Sequence, residues 1–142
     1  GLTFNWGIVM AWASVSNYIS TEIIILYLSA IFWTLGYDTI YGAQDIKDDE
    51  IIGIKSTSIK FKKNIKLFVS MSYLISIIIL IFLFNNKIGL NIFTFLFFIF
   101  SLSLTYQIKM FDKKKPNNCL KAFKLNNISG LLLFLGIIFS NI

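Results

Sequence analysis

Residues Ile88–Ile108 run without a single charged side chain, and Ile65–Phe84 contain only Lys66. A run of about 20 apolar residues is the length a helix needs to cross a bilayer. Five such stretches are predicted: Gly1–Asn17, Glu22–Tyr41, Ile65–Phe84, Ile88–Ile108 and Ala122–Ile142. The runs are continuous and lack the period-two alternation of a membrane barrel. The expected fold is therefore all-α, a polytopic transmembrane helix bundle of about five helices. Ser72, Ser76, Ser101, Ser103, Gly130 and Gly136 inside the runs suit close helix packing.

Charge fixes the expected topology. Only 14% of the 142 residues are charged, against roughly 25% in a soluble domain, and the mean hydropathy is +0.75. All 13 basic residues are lysines; six fall in Lys47–Lys66 and six in Lys109–Lys124. Short lysine-rich loops stay in the cytoplasm. The second-to-third and fourth-to-fifth connections are thus expected on the cytoplasmic side of a bacterial inner membrane. The net charge of +6 reads as topology, not as a nucleic-acid surface, for which no soluble part is large enough. The absence of histidine removes His-based acid–base chemistry and most zinc sites, and Cys119 is the only cysteine. The chain begins inside an apolar stretch without Met, and it reads as a fragment whose N-terminal part is missing.

Five of the seven acidic residues lie within YDTIYGAQDIKDDEIIGIKST, residues 37–57: Asp38, Asp45, Asp48, Asp49 and Glu50. If the second helix continues to Asp49, then Asp38, Asp45 and Asp49 point within roughly 40° of one another. Like charges on one stripe repel, and a cation would remove that cost. Open carboxylates suit Mg²⁺, which keeps waters and takes phosphate oxygens as further ligands. Gly53 can release the helix. Lys55, Ser56 and Thr57 then offer donors to phosphate, and Lys60, Lys62 and Lys63 add positive potential. Asp48 and Glu50 point away and read as a solvated face. The competing reading is a merely solvated acidic helix end, and the DxxxD spacing alone does not decide between them.

The segment WTLGYDTIYGAQDIKDDEIIGIKST resembles the second aspartate-rich motif of the UbiA family of membrane prenyltransferases. The stretches GLTFNWGIVMAWA and CLKAFKLNNISGLLLFLG agree with it. The resemblance covers residues 1–142 and is to the C-terminal half of a nine-helix enzyme, helices five to nine. It implies transfer of a polyprenyl group from its diphosphate to an aromatic ring, that of 4-hydroxybenzoate in ubiquinone synthesis. It also implies Mg²⁺ held by Asp45 and Asp49, with Asp38 in the same pocket. Lys55 would contact the diphosphate, and Tyr37, Tyr41 and Gln44 would line the cavity. Asn126 and Asn127 match family positions in the last helix. Trp33, Tyr37 and Tyr41 could shield an allylic cation, or simply pack.

The implied partners are polyprenyl diphosphate, 4-hydroxybenzoate, the lipid bilayer, and the missing N-terminal half carrying the first aspartate-rich motif. Without that motif the fragment alone is expected to be inactive. Two departures from the family pattern stand out: Gly42 and Ser58 occupy positions where Ala is common. Open alternatives are another acceptor (naphthoate, homogentisate or haem), a transporter using intramembrane aspartates, or a non-catalytic membrane protein.

Overall fold

The computed structural model describes residues 1–53, 55–113 and 115–140, excepting the side chain of Lys47. The chain is helical in every regular element described: α1 (Leu2–Ser16), α2 (Thr21–Gly42), α3 (Ile46–Ile52), α4 (Thr57–Lys60), α5 (Ile65–Leu83), α6 (Ile92–Met110) and α7 (Pro116–Ser140). Four of these, α2, α5, α6 and α7, are long and apolar enough to cross a membrane. The polytopic helix bundle is therefore as expected. The first expected span is α1, which at 15 residues is short for a bilayer core.

Local signals set the boundaries. Ser20 caps α2 by accepting from Ile23 N at 3.3 Å, and Asn91 caps α6 by accepting from Thr94 N at 2.8 Å. The fourth span accordingly starts at Ile92 rather than Ile88. Pro116 opens α7, where its missing N–H costs nothing. The fifth span therefore begins six residues before the expected Ala122, and its expected last residues, Asn141 and Ile142, lie outside the described residues.

The long helix α2 is the spine, packing against α1, α4, α5 and α7, while α6 pairs with α7. Small residues permit the close approaches. At Gly36 a Cβ would overlap the buried ring of Tyr73 on α5. Polar side chains then stitch the helices. Ser29 and Ser76 hydroxyls join α2 to α5 at 2.9 Å. The Tyr73 hydroxyl donates to Gln107 Oε1 at 2.7 Å, and Gln107 Nε2 donates to Ser129 Oγ at 2.9 Å. That chain crosses α5, α6 and α7, and Gln107 is wholly buried. Around it sits an apolar core that includes Ile40, Val69, Leu80, Phe93, Phe100, Leu104 and Phe111.

Lys113 Nζ donates to the carbonyl of Lys62 at 3.0 Å. The two lysine-rich connections thus meet at one end of the bundle, as the charge pattern requires. The short helices α3 and α4 lie at that same end.

Candidate functional site

The acidic segment is not one continuous helix. α2 stops at Gly42, Gln44 N turns back to Tyr41 O at 3.2 Å, and Asp45 leaves helical geometry with φ −111° and ψ 14° before α3 begins. The expected single stripe through Asp38, Asp45 and Asp49 is therefore corrected: Asp38 belongs to α2, while Asp45 and Asp49 belong to the start of α3. The cause is α4. Thr39 and Thr57 hydroxyls bond at 2.7 Å, and a Cβ on Gly42 would lie 2.9 Å from Ser58 Oγ. The returning chain is pinned against the last turn of α2. Gly42 and Ser58 are neighbours in space. The smaller residue at 42 makes room for the hydroxyl at 58.

Asp45 and Asp49 stay one turn apart, with Asp49 N donating to Asp45 O at 2.9 Å. Asp45 does not cap α3 with its side chain, and it is exposed, as are Asp38 and Asp48. Asp49 is half-buried. Glu50 differs: both its oxygens accept from Lys62 Nζ, at 2.8 and 2.7 Å. Gly53 ends α3 at φ 80°, a conformation that favours glycine. Lys55 follows it, exposed. Ser56 and Thr57, expected as phosphate donors, are engaged within the fold: Ser56 caps α4 and bonds Ser58 at 2.8 Å, and Thr57 holds Thr39. Lys60 lies 5.7 Å from the Phe61 ring.

Aromatic rings climb α2 beside these carboxylates. Trp33, Tyr37 and Tyr41 are spaced four apart and share a face. Trp33 meets Phe100 edge-on at 5.3 Å and Tyr37 at 6.2 Å. Tyr37 and Tyr41 both meet Phe123 of α7, at 6.0 and 4.8 Å. Phe123 was missed in the sequence. The i, i+4 aromatics called for a partner ring, but nothing in CLKAFKLNN marks which residue supplies it. Tyr41 remains 43% exposed, next to Asp38.

A cavity of about 410 Å³ opens between α1, α2 and α7. Its lining includes Tyr37, Trp33, Phe123, Asn126 and Asn127, with Asn5 and Thr34. Asn5 Nδ2 donates to Thr34 Oγ1 at 2.8 Å, which fixes one polar edge. Trp33 Nε1 and Asn126 Oδ1 are buried with no hydrogen-bond partner among the described residues. An unmet buried polar atom costs about 1–3 kcal/mol.

Among the described residues, no three His, Cys, Asp or Glu side chains stand close enough to enclose a metal. Asp45 and Asp49 still fit part of a site for a hard cation. They are carboxylates one turn apart, with no hydrogen bond or ion pair to their side chains among the described residues. Such a cation takes waters and phosphate oxygens as its remaining ligands.

A membrane helix bundle with an aspartate-rich segment at one end, beside an aromatic wall, defines the class. Residues 1–128 match the UbiA prenyltransferase family, and the chain belongs to that family. It is 36% identical to a mitochondrial 4-hydroxybenzoate polyprenyltransferase of Bos taurus, an alignment covering all of this chain and 38% of the relative. It is 35% identical to the protein of the same description from Homo sapiens, over all of this chain and 38% of that relative. It is also 36% identical to a 4-hydroxybenzoate octaprenyltransferase of Enterobacter sp. (strain 638), over 99% of this chain and 48% of the relative. The chain thus spans less than half the length of these relatives. No solved structure matches it.

Proposed function

We propose that the chain is the C-terminal half of an integral-membrane 4-hydroxybenzoate polyprenyltransferase, acting in ubiquinone synthesis with Mg²⁺. The observation that carries this reading is the pair Asp45 and Asp49. Asp45 is exposed at the break between α2 and α3, and Asp49 lies one helical turn further on, just past the end of the helix that carries Tyr37 and Tyr41. A bound Mg²⁺ supplies charge neutralisation to a departing diphosphate.

The chain's own residues supply the rest. Asp45 and Asp49 would hold the cation through their carboxylates, and Asp38 adds negative potential at the same mouth. Lys55, beyond the Gly53 turn, neutralises phosphate oxygens that the carboxylates do not face. Tyr37 and Tyr41 present ring faces to the allylic carbon as its C–O bond breaks, and Trp33 continues that wall. The ring carbon ortho to the acceptor's hydroxyl then attacks the prenyl carbon, and its proton leaves to restore aromaticity. Exposed apolar side chains along the spans let the isoprenoid tail approach from lipid.

The acidic loop faces the cytoplasm of a bacterial inner membrane on this reading. The first aspartate-rich motif comes from a segment outside residues 1–142, so this chain alone holds half a metal site and is inactive. The test is prenyl transfer to 4-hydroxybenzoate by a whole enzyme carrying this segment. Asp45→Asn and Asp49→Asn should each lower the rate roughly 100-fold or more. Full activity in either variant would sink the assignment.

A further inference from the structure

The end of the bundle where the lysine-rich connections meet carries a second cavity, of about 340 Å³, separate from the aromatic one. Lys63 reaches it from the turn before α5, Lys66 from the first turn of α5, and Lys113 from the segment after α6. Its other walls include Ile65, Leu67 and Phe111, and among the described residues no carboxylate lines it. The nearby Glu50 is already paired with Lys62.

All three lysines are exposed, and two of them are held in place. Lys113 Nζ is tied to the Lys62 carbonyl at 3.0 Å, and Lys66 Nζ stands 6.0 Å from the centre of the fully buried Phe111 ring. Three lysines thus line one cavity with an apolar floor, at the level where α5 begins and α6 ends. Below it, the outer face of α5 is apolar and exposed. Leu67, Met71, Leu74 and Ile78 follow one another at helical spacing, 61%, 48%, 50% and 55% exposed.

We propose that this cavity binds the headgroup of an anionic phospholipid, with one acyl chain lying along the Leu67–Ile78 stripe. Basic pockets between spanning helices recognise anionic headgroups in this way. A free phosphate would satisfy the lysines, but it would leave the stripe unused. The assignment does not need the prenyl-transfer reading: of its residues only Lys63 has a part near the aspartate-rich segment, as added positive potential.

The test is native mass spectrometry of the chain in a non-ionic detergent. The chain is titrated with phosphatidylglycerol or with phosphatidylcholine of the same acyl composition. Phosphatidylglycerol should bind roughly 10- to 100-fold more tightly, on the scale of three lysines near an anionic surface. The preference should shrink as salt rises. Combined Lys63→Gln, Lys66→Gln and Lys113→Gln should bring the two lipids level, while the corresponding Arg variant keeps the preference. Lys87→Gln, at the other end of α5, should leave it unchanged. Equal binding of the two lipids by the unaltered chain would overturn the proposal, whether or not the Gln variant folds. So would displacement of the lipid by inorganic phosphate, which would assign the lysines to a free anion.

Discussion

Gly42 and Ser58 offer the sharpest test of how the acidic segment is held. Replacing Gly42 with Ala places a methyl 2.9 Å from Ser58 Oγ, well inside van der Waals contact. Ser58 is buried, and its hydroxyl is bonded to Ser56, so it cannot simply swing aside. Overpacking of this kind costs about 1–3 kcal/mol. The gain from Gly to Ala is at most about 1 kcal/mol inside a helix, and less at its last residue. Gly42→Ala should therefore destabilise the chain by about 1–2 kcal/mol. Ser58→Ala removes the offending oxygen and leaves Ser58's Cβ position 3.5 Å from the new methyl, an ordinary contact. It costs about 0.5–1.5 kcal/mol for the lost Ser56 hydrogen bond. The double variant should thus be more stable than the two single effects added together, by about 1–3 kcal/mol. Unfolding in mixed micelles, followed by tryptophan fluorescence, reads all four corners of the cycle. A Gly42→Ala chain as stable as the parent, or strictly additive effects, would refute the claim that α4 is seated directly on the end of α2.

Further outcomes follow from the same geometry. Thr39→Val breaks the hydroxyl bond to Thr57 and should loosen α4 at a cost of about 1 kcal/mol, seen as faster hydrogen exchange over residues 55–61. Gly36→Ala drives a methyl into the Tyr73 ring, and Tyr73→Leu should relieve that loss in a stability cycle. Tyr73→Phe leaves Gln107 Oε1 without its donor, and in a membrane helix pair this should cost about 0.6–1.7 kcal/mol by unfolding in micelles. Glu50→Ala removes an ion pair whose partners are 39% and 45% exposed, so stability should change by less than about 1 kcal/mol.

The long elements were legible because a bilayer imposes their length. α2 and α5 fall within a residue or two of the apolar runs Glu22–Tyr41 and Ile65–Phe84 that predicted them. Their ends were less legible, although the signals were present. Asn91 with Thr94 sets the start of α6, and Pro116 sets the start of α7, in each case by backbone satisfaction rather than hydropathy. The break at Ala43–Asp45 was not legible at all. No proline marks it; it arises from α4 packing back through Thr57 and Ser58, a contact between distant parts of the chain. For the same reason helical spacing alone puts the aspartates on one stripe, when they belong to two helices. The aromatic face of α2 was visible in the spacing of Trp33, Tyr37 and Tyr41, but its partner Phe123 was not. Likewise, the lysines announced which loops share a side, but not that Lys63, Lys66 and Lys113 converge on one cavity.

The most direct measurement is prenyl transfer from a polyprenyl diphosphate to 4-hydroxybenzoate in proteoliposomes. The 142-residue chain is reconstituted alone, and then together with a segment carrying the first aspartate-rich motif. The account predicts no transfer by the chain alone. It predicts transfer by the pair that is lost on chelating Mg²⁺ and lost again with Asp45→Asn. Transfer by the chain alone, or by the pair with the metal chelated, would contradict it.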